Sequence, residues 1–75
     1  MEKAHIRQLL NSIDLSMKVM QHEKEHQETI LSNKLHYGVI DEAEELITRD
    51  YICTIAEAIC DLDTIRQDYE RRLNK

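Results

Sequence analysis

Two histidines, His22 and His26, lie four residues apart in the stretch QHEKEHQ. With Glu23 they match H-E-x-x-H, the pattern by which zinc peptidases place two metal ligands and a general base on one helix. A catalytic zinc ion also needs a third protein ligand and an open coordination position in a substrate cleft. The neighbouring helical turns on that face supply no such ligand, since they carry Lys18, Val19, Thr29 and Ile30. The sequence therefore predicts no catalytic zinc site and leaves His22 and His26 as weak candidates for binding a metal.

The same stretch contains E-x-x-H, at Glu23 and His26, which is also the motif of di-iron four-helix bundles. Those centres need ligands that face the bundle interior, and the second half of the chain contributes no further E-x-x-H. No serine of this chain lies in the glycine-rich turn that exposes a nucleophilic serine in hydrolases. A single glycine is also too few for a phosphate-binding loop. We therefore expect a protein that is not an enzyme and that has no cofactor.

The composition predicts an all-α protein. Proline is absent, Gly38 is the single glycine, and residues of high helix propensity dominate the chain. Gly38 lies near the middle of the 75 residues, shortly after Ser32 and Asn33, and these three residues favour a turn. We expect one helical domain over residues 1–75, with a helix at about 2–33, a turn at about 34–40 and a helix at about 41–73.

The first arm carries apolar residues at alternating spacings of four and three, which is the heptad pattern of a helix–helix seam. These residues are Ile6, Leu10, Ile13, Met17, Met20 and Leu31. Lys24 and Gln27 interrupt the seam. A pair between Lys24 and Asp50 would compensate for the polar position, but we prefer the alternative in which Lys24 extends its ammonium group to water.

In this heptad phase His22 and His26 fall outside the seam, on one stripe with Leu15 and Val19. This outer stripe is a candidate face for binding a partner, and its histidines would make such a contact sensitive to pH. The alternative is a partly exposed face with two isolated apolar residues.

The second arm begins at a capping box, with Asp41 as the N-cap and Glu44 three residues later. A break at 48–50, with Asp50 capping a third helix, is an alternative. Between residues 51 and 62 apolar side chains cover more of the helix than one neighbour needs. We therefore expect self-association through this face, with Tyr51, Ile52, Ile55, Ile59 and Leu62 as the interface residues.

Two arms of nearly equal length around a central turn predict an antiparallel helical hairpin. A two-helix hairpin is usually too thin to be stable alone. We expect two copies to form a four-helix bundle. A permanent complex with a different protein and a compact three-helix monomer are the alternatives.

Charge and cysteine content indicate the compartment and the class of partner. Ten Lys and Arg against fifteen Asp and Glu give a net charge of −5, which argues against binding through nucleic-acid phosphates or to an anionic membrane, so we expect neither partner. Cys53 and Cys60 are seven residues apart, about 10 Å along a helix and beyond disulfide reach, so we expect buried thiols in a reducing compartment. The start of the chain lacks the pattern of a signal peptide, and no stretch has transmembrane length, which favours a soluble, cytoplasmic protein.

These features predict a small non-enzymatic protein–protein interaction module, such as a regulator, inhibitor or adaptor. It would act as a helical homodimer that also binds another protein. The alternatives are a subunit or chaperone of a heteromeric complex, and a metal-binding helical protein that uses His22 and His26.

Overall fold

The computed structural model describes residues 2–75 as two α-helices joined by a short turn. Helix α1 spans Lys3–Tyr37 and helix α2 spans Glu42–Leu73, and the two pack against each other along a rod of 53 × 14 × 13 Å. Residues 2–75 contain no strand. The prediction of an all-α helical hairpin is confirmed. No helix in this part of the chain combines the length and the apolar character needed to cross a membrane.

The helices differ from the expected bounds at the turn. Helix α1 continues through Ser32 and Asn33 to Tyr37, because Gly38 rather than these polar residues ends it. Gly38 adopts the left-handed conformation, with φ 65° and ψ 28°, and its N–H donates to the carbonyl of Leu35 at 3.3 Å. This geometry returns the chain within four residues, as expected of a glycine C-cap.

Helix α2 begins at the expected cap but lacks the full capping box. The side chain of Asp41 accepts a hydrogen bond from the backbone N–H of Glu44 at 2.7 Å. The Glu44 carboxylate does not return to the cap, because it pairs with Lys34 of α1 and so closes the turn. Helix α2 then runs unbroken through 48–50, so the alternative third helix does not form.

The heptad seam of α1 is the face that packs on α2. Ile6 and Leu31 are buried in it, and Ile55 is buried from α2, with exposures of 3%, 6% and 8%. The remaining seam positions of α1 are half-buried, namely Leu10, Ile13, Met17, Met20, Lys24 and Gln27. Since each helix contributes one stripe, the core is a single line of side chains along the rod.

The two polar seam positions form bonds within α1. Lys24 Nζ lies 2.7 Å from Glu28 Oε1, so the less favoured alternative, a pair with Asp50, does not form. The hydrogen bond to Glu28, together with its negative charge, raises the pKa of Lys24. Gln27 Nε2 donates to Glu23 Oε1 at 2.9 Å. Partners one turn away are favoured because the helix already holds them at contact distance.

Three polar contacts between the helices set their register. Lys34 pairs with Glu44 beside the turn, and Tyr51 Oη donates to Glu23 Oε1 at 3.3 Å near the middle. Towards the open end Arg66 Nε lies 3.9 Å from Asp14 Oδ1. These contacts connect the edges of the seam, where water screens them, so they align the helices more than they stabilise them.

The cysteines are not buried, contrary to expectation. Cys53 and Cys60 are both free and exposed. At about 100° per residue they lie about 160° and 140° around α2 from Ile55, which turns them away from the core. Because they are seven residues apart, about two helical turns, both cysteines lie on the same side of α2. That side is exposed because the core is centred on Ile55.

The core predicts an unequal response to two truncations on α2. Ile55→Ala should lower the free energy of unfolding by about 2–5 kcal/mol, because it leaves a cavity in a core with few other contacts. Leu46→Ala, at a position 64% exposed on the opposite side, should change it by less than about 0.5 kcal/mol. Urea unfolding followed by circular dichroism measures both, and equal losses would contradict the assignment of the core.

The turn predicts a cost for any side chain with a Cβ at Gly38. No atom lies within 4 Å of a Cβ built there, so Gly38→Ala meets only the backbone penalty of the left-handed conformation, about 1–2 kcal/mol. Gly38→Asn should lose less, since asparagine tolerates this conformation. The same unfolding assay compares the two variants. If Gly38→Ala left the free energy of unfolding unchanged, the turn would not need a glycine in the left-handed conformation.

Candidate functional site

The two histidines of the H-E-x-x-H match lie on the outer side of α1. His22 and His26 are both exposed, and four residues of helix separate them by about 6 Å along the axis and about 40° around it. Polar contacts in this part of residues 2–75 are made by their neighbours, with Gln21 bonded to Glu25 and Lys24 to Glu28. The imidazoles are therefore directed to solvent on a shared face.

The glutamate of the same motif is directed elsewhere. Glu23 is half-buried at the edge of the seam, where its Oε1 accepts from Gln27 at 2.9 Å and from Tyr51 at 3.3 Å. A general base in a zinc peptidase needs a free carboxylate beside the metal-bound water. Among residues 2–75 no group of three or more metal-ligating side chains comes together. The motif thus supplies a pair of imidazoles without the accompanying base.

The five residues expected to mediate self-association divide between the core and its edge. Ile55 is buried, and Ile52, Ile59 and Leu62 are half-buried beside it, so these four belong to the contact with α1. Tyr51 is 45% exposed at the rim. The broad apolar face of α2 is therefore covered along its centre and open along its margin.

The open margin of α2 contains two residues that the sequence reasoning did not assign to an interface. Ile47 and Ile65 are 70% and 45% exposed, and both lie about 80° around the helix from Ile55, on the side of Tyr51. We call Ile47, Tyr51 and Ile65 the apolar flank. Ile47 and Ile65 are 18 residues apart, about five whole helical turns, so they lie on the same side of α2. This spacing is the signal in the sequence that could have identified them.

Helix α1 adds an apolar residue on this side of the hairpin. The Tyr51–Glu23 hydrogen bond shows that the apolar flank and the Glu23 edge of α1 lie on one side. Val19, exposed and about 40° further around α1 than Glu23, borders that side. Leu15 and His22 lie still further round, on the back of α1, so the outer stripe begins where this side ends.

The other side of the hairpin has a different character. A shallow groove there is lined by Leu31, Leu35, Ile52 and Cys53, with charged residues along its rim. On that rim Lys24 is paired with Glu28, and Arg49 is paired with Glu45 at 2.9 Å. Charges already neutralised by a neighbour in the same helix offer little to a charged partner, so the apolar flank is the stronger candidate for contact.

The position of Tyr51 in the apolar flank also changes the pKa of its phenol. Loss of hydration at the rim, together with the charge of Glu23 and the hydrogen bond to it, raises the pKa of Tyr51. Its phenol therefore stays protonated to a higher pH when the chain is folded.

Comparison with known proteins finds no family model, no curated protein and no solved structure that matches the chain.

The raised pKa of Tyr51 predicts a loss of stability in alkali. Because the folded state holds the proton more tightly, its contribution is present below the ordinary tyrosine pKa and is lost as pH rises through the higher folded value. The wild-type protein should therefore lose stability relative to Tyr51→Phe as the pH rises above about 10. Tyr37→Phe, at an exposed position, is the matched control. Urea unfolding from pH 9 to 11 tests this, and parallel curves for wild type and Tyr51→Phe would contradict it.

Proposed function

We propose that this chain is a non-enzymatic protein–protein interaction module that works as a homodimer. Two hairpins lie side by side with their apolar flanks in contact and form a four-helix bundle. The observation that carries this proposal is the apolar flank itself, in which Ile47 and Ile65 expose large aliphatic side chains along one margin of α2.

The accessible surface of the hairpin supports pairing. The chain exposes 5746 Å² at a mass of 8.9 kDa. A folded monomeric protein of this mass exposes about 4,800 Å² by the usual scaling with mass. The excess of about 900 Å² is close to the roughly 800 Å² that each partner buries in an interface of standard size. In the proposed dimer each hairpin would bury surface of about this extent.

The dimensions of the apolar flank favour a lateral contact. Ile47 and Ile65 are about 27 Å apart along α2, with Tyr51 between them. A second hairpin related by a two-fold axis would cover both isoleucines with the same surface of its own, as closed dimers do. Ile52, Ile55, Ile59 and Leu62 support this contact from within the hairpin, where they hold α2 on α1.

The outer stripe of α1 remains available to another protein. Leu15, Val19, His22 and His26 are all exposed, and their helical spacing suits a groove that accepts one helix face. A regulator, inhibitor or adaptor needs such a second surface in addition to its own dimer contact. We propose the cytoplasm as its compartment, because the exposed thiols of Cys53 and Cys60 persist unpaired where the medium is reducing.

The alternative of a heteromeric subunit or chaperone places a different chain on the same flank. It predicts a protein that is poorly folded or aggregates when it is produced alone, because the apolar flank then stays exposed. A well-folded particle of defined mass separates the homodimer from this alternative.

Light scattering coupled to size exclusion tests the dimer. The wild-type protein should elute with twice the mass of 8.9 kDa, and Ile47→Asp with Ile65→Asp should yield the monomer mass, because two carboxylates would be buried without partners. Leu46→Asp is the matched control, since Leu46 is 64% exposed and adjoins Ile47 in sequence but lies about 100° further around α2, on the side opposite Ile55 and outside the apolar flank. A wild-type protein that is folded but elutes with the monomer mass, or a loss of the dimer in the control alone, would contradict the proposal.

A further inference from the structure

We infer that His22 and His26 form a bidentate site for a divalent transition-metal ion of the Cu²⁺, Ni²⁺ and Zn²⁺ class. The site lies on the outer side of α1 and belongs to one chain, so it is independent of the proposed dimer. Two imidazoles at positions i and i+4 have Cβ atoms about 5–6 Å apart, which lets both rings approach one ion at nitrogen–metal distances of about 2.0–2.1 Å.

Several polar side chains around the two imidazoles have partners within α1. Glu25 accepts from Gln21 at 3.1 Å, and Glu28 pairs with Lys24 at 2.7 Å. The Thr29 hydroxyl, one turn beyond His26, donates to the Glu25 carbonyl at 2.9 Å. Lys24 belongs to the seam on the other side of α1, so its ammonium group is directed away from the incoming cation.

The helix fixes the spacing of the two Cβ atoms before the ion arrives. His22 and His26 lie in the interior of the unbroken helix Lys3–Tyr37, far from either frayed end. Ligands whose backbone is already ordered lose less conformational entropy on binding. The two other histidines, His5 and His36, are 31 residues apart and cannot share an ion within one chain.

The donor set selects the class of ion. Imidazole nitrogen suits copper, nickel and zinc, whereas calcium and magnesium require oxygen ligands. Among the three, the affinity should be highest for Cu²⁺, as the general order for divalent metals requires. Water completes the coordination shell, and Glu23 stays in the seam, so the site binds the ion without a base beside it.

Calorimetric titration of the untagged protein with NiCl₂, ZnCl₂ and CuCl₂ tests the site. We expect one ion per chain, tightest for Cu²⁺, and a melting temperature that rises with the metal. His22→Gln or His26→Gln should weaken binding at least about tenfold, the loss that even an outer-shell partner of a metal ligand produces. The double variant His5→Gln/His36→Gln removes the same number of imidazoles as His22→Gln/His26→Gln and should bind like the wild type.

Three outcomes would overturn the inference. One is a His22→Gln/His26→Gln variant, shown by circular dichroism to be folded, that binds as tightly as the wild type. Another is an equal loss in the His5→Gln/His36→Gln variant, and the third is one ion per two chains. Two measurements keep this inference apart from the proposed dimer. The Ile47→Asp/Ile65→Asp variant, which should be a monomer, should bind metal like the wild type, and light scattering should give the same mass with and without metal.

Discussion

The single seam between α1 and α2 is the constraint on which the rest of the structure depends. Two helices can bury one stripe each, so Ile6, Leu31 and Ile55 are the apolar side chains that count as buried in residues 2–75, and each keeps a few per cent of its surface exposed. Helices of 35 and 32 residues gain most of their stability from packing, since intrinsic helix propensity is weak in water. A change in the phase of this seam would alter the exposure of every other side chain.

The periodicity of the sequence was sufficient to predict the hairpin, because the spacing of four and three fixes both the helix and the face it buries. The turn was harder to place. Ser32 and Asn33 break helices only weakly, whereas Gly38 alone adopts the left-handed conformation that a tight reversal requires. The polar partners were the least predictable, as Lys24 shows. It bonds to Glu28, one turn away, and a distant partner such as Asp50 would have to compete with that local geometry.

The sequence predicts which residues of α2 are apolar, but it does not predict which of them are buried against α1 and which remain exposed. Apolar residues extend so far around this helix that several stripes are equally acceptable as the core. Centring the core on Ile55 draws Ile52 and Ile59 inward and leaves Ile47 and Ile65 outside. Hydrophobicity alone does not distinguish these residues; their angle from the seam does, and that angle depends on which stripe α1 covers.

The same principle decides what the H-E-x-x-H match can do. Adjacent residues in a helix are about 100° apart, so a seam placed beside Glu23 necessarily leaves His22 on the outer side. In a zinc peptidase the histidines and the glutamate all serve one buried cleft. Here the carboxylate of Glu23 accepts hydrogen bonds from Tyr51 and Gln27 at the edge of the seam, and the two imidazoles are exposed to solvent. The helix phase, which a short motif does not record, therefore separates the carboxylate from the two imidazoles and leaves His22 and His26 as an exposed pair.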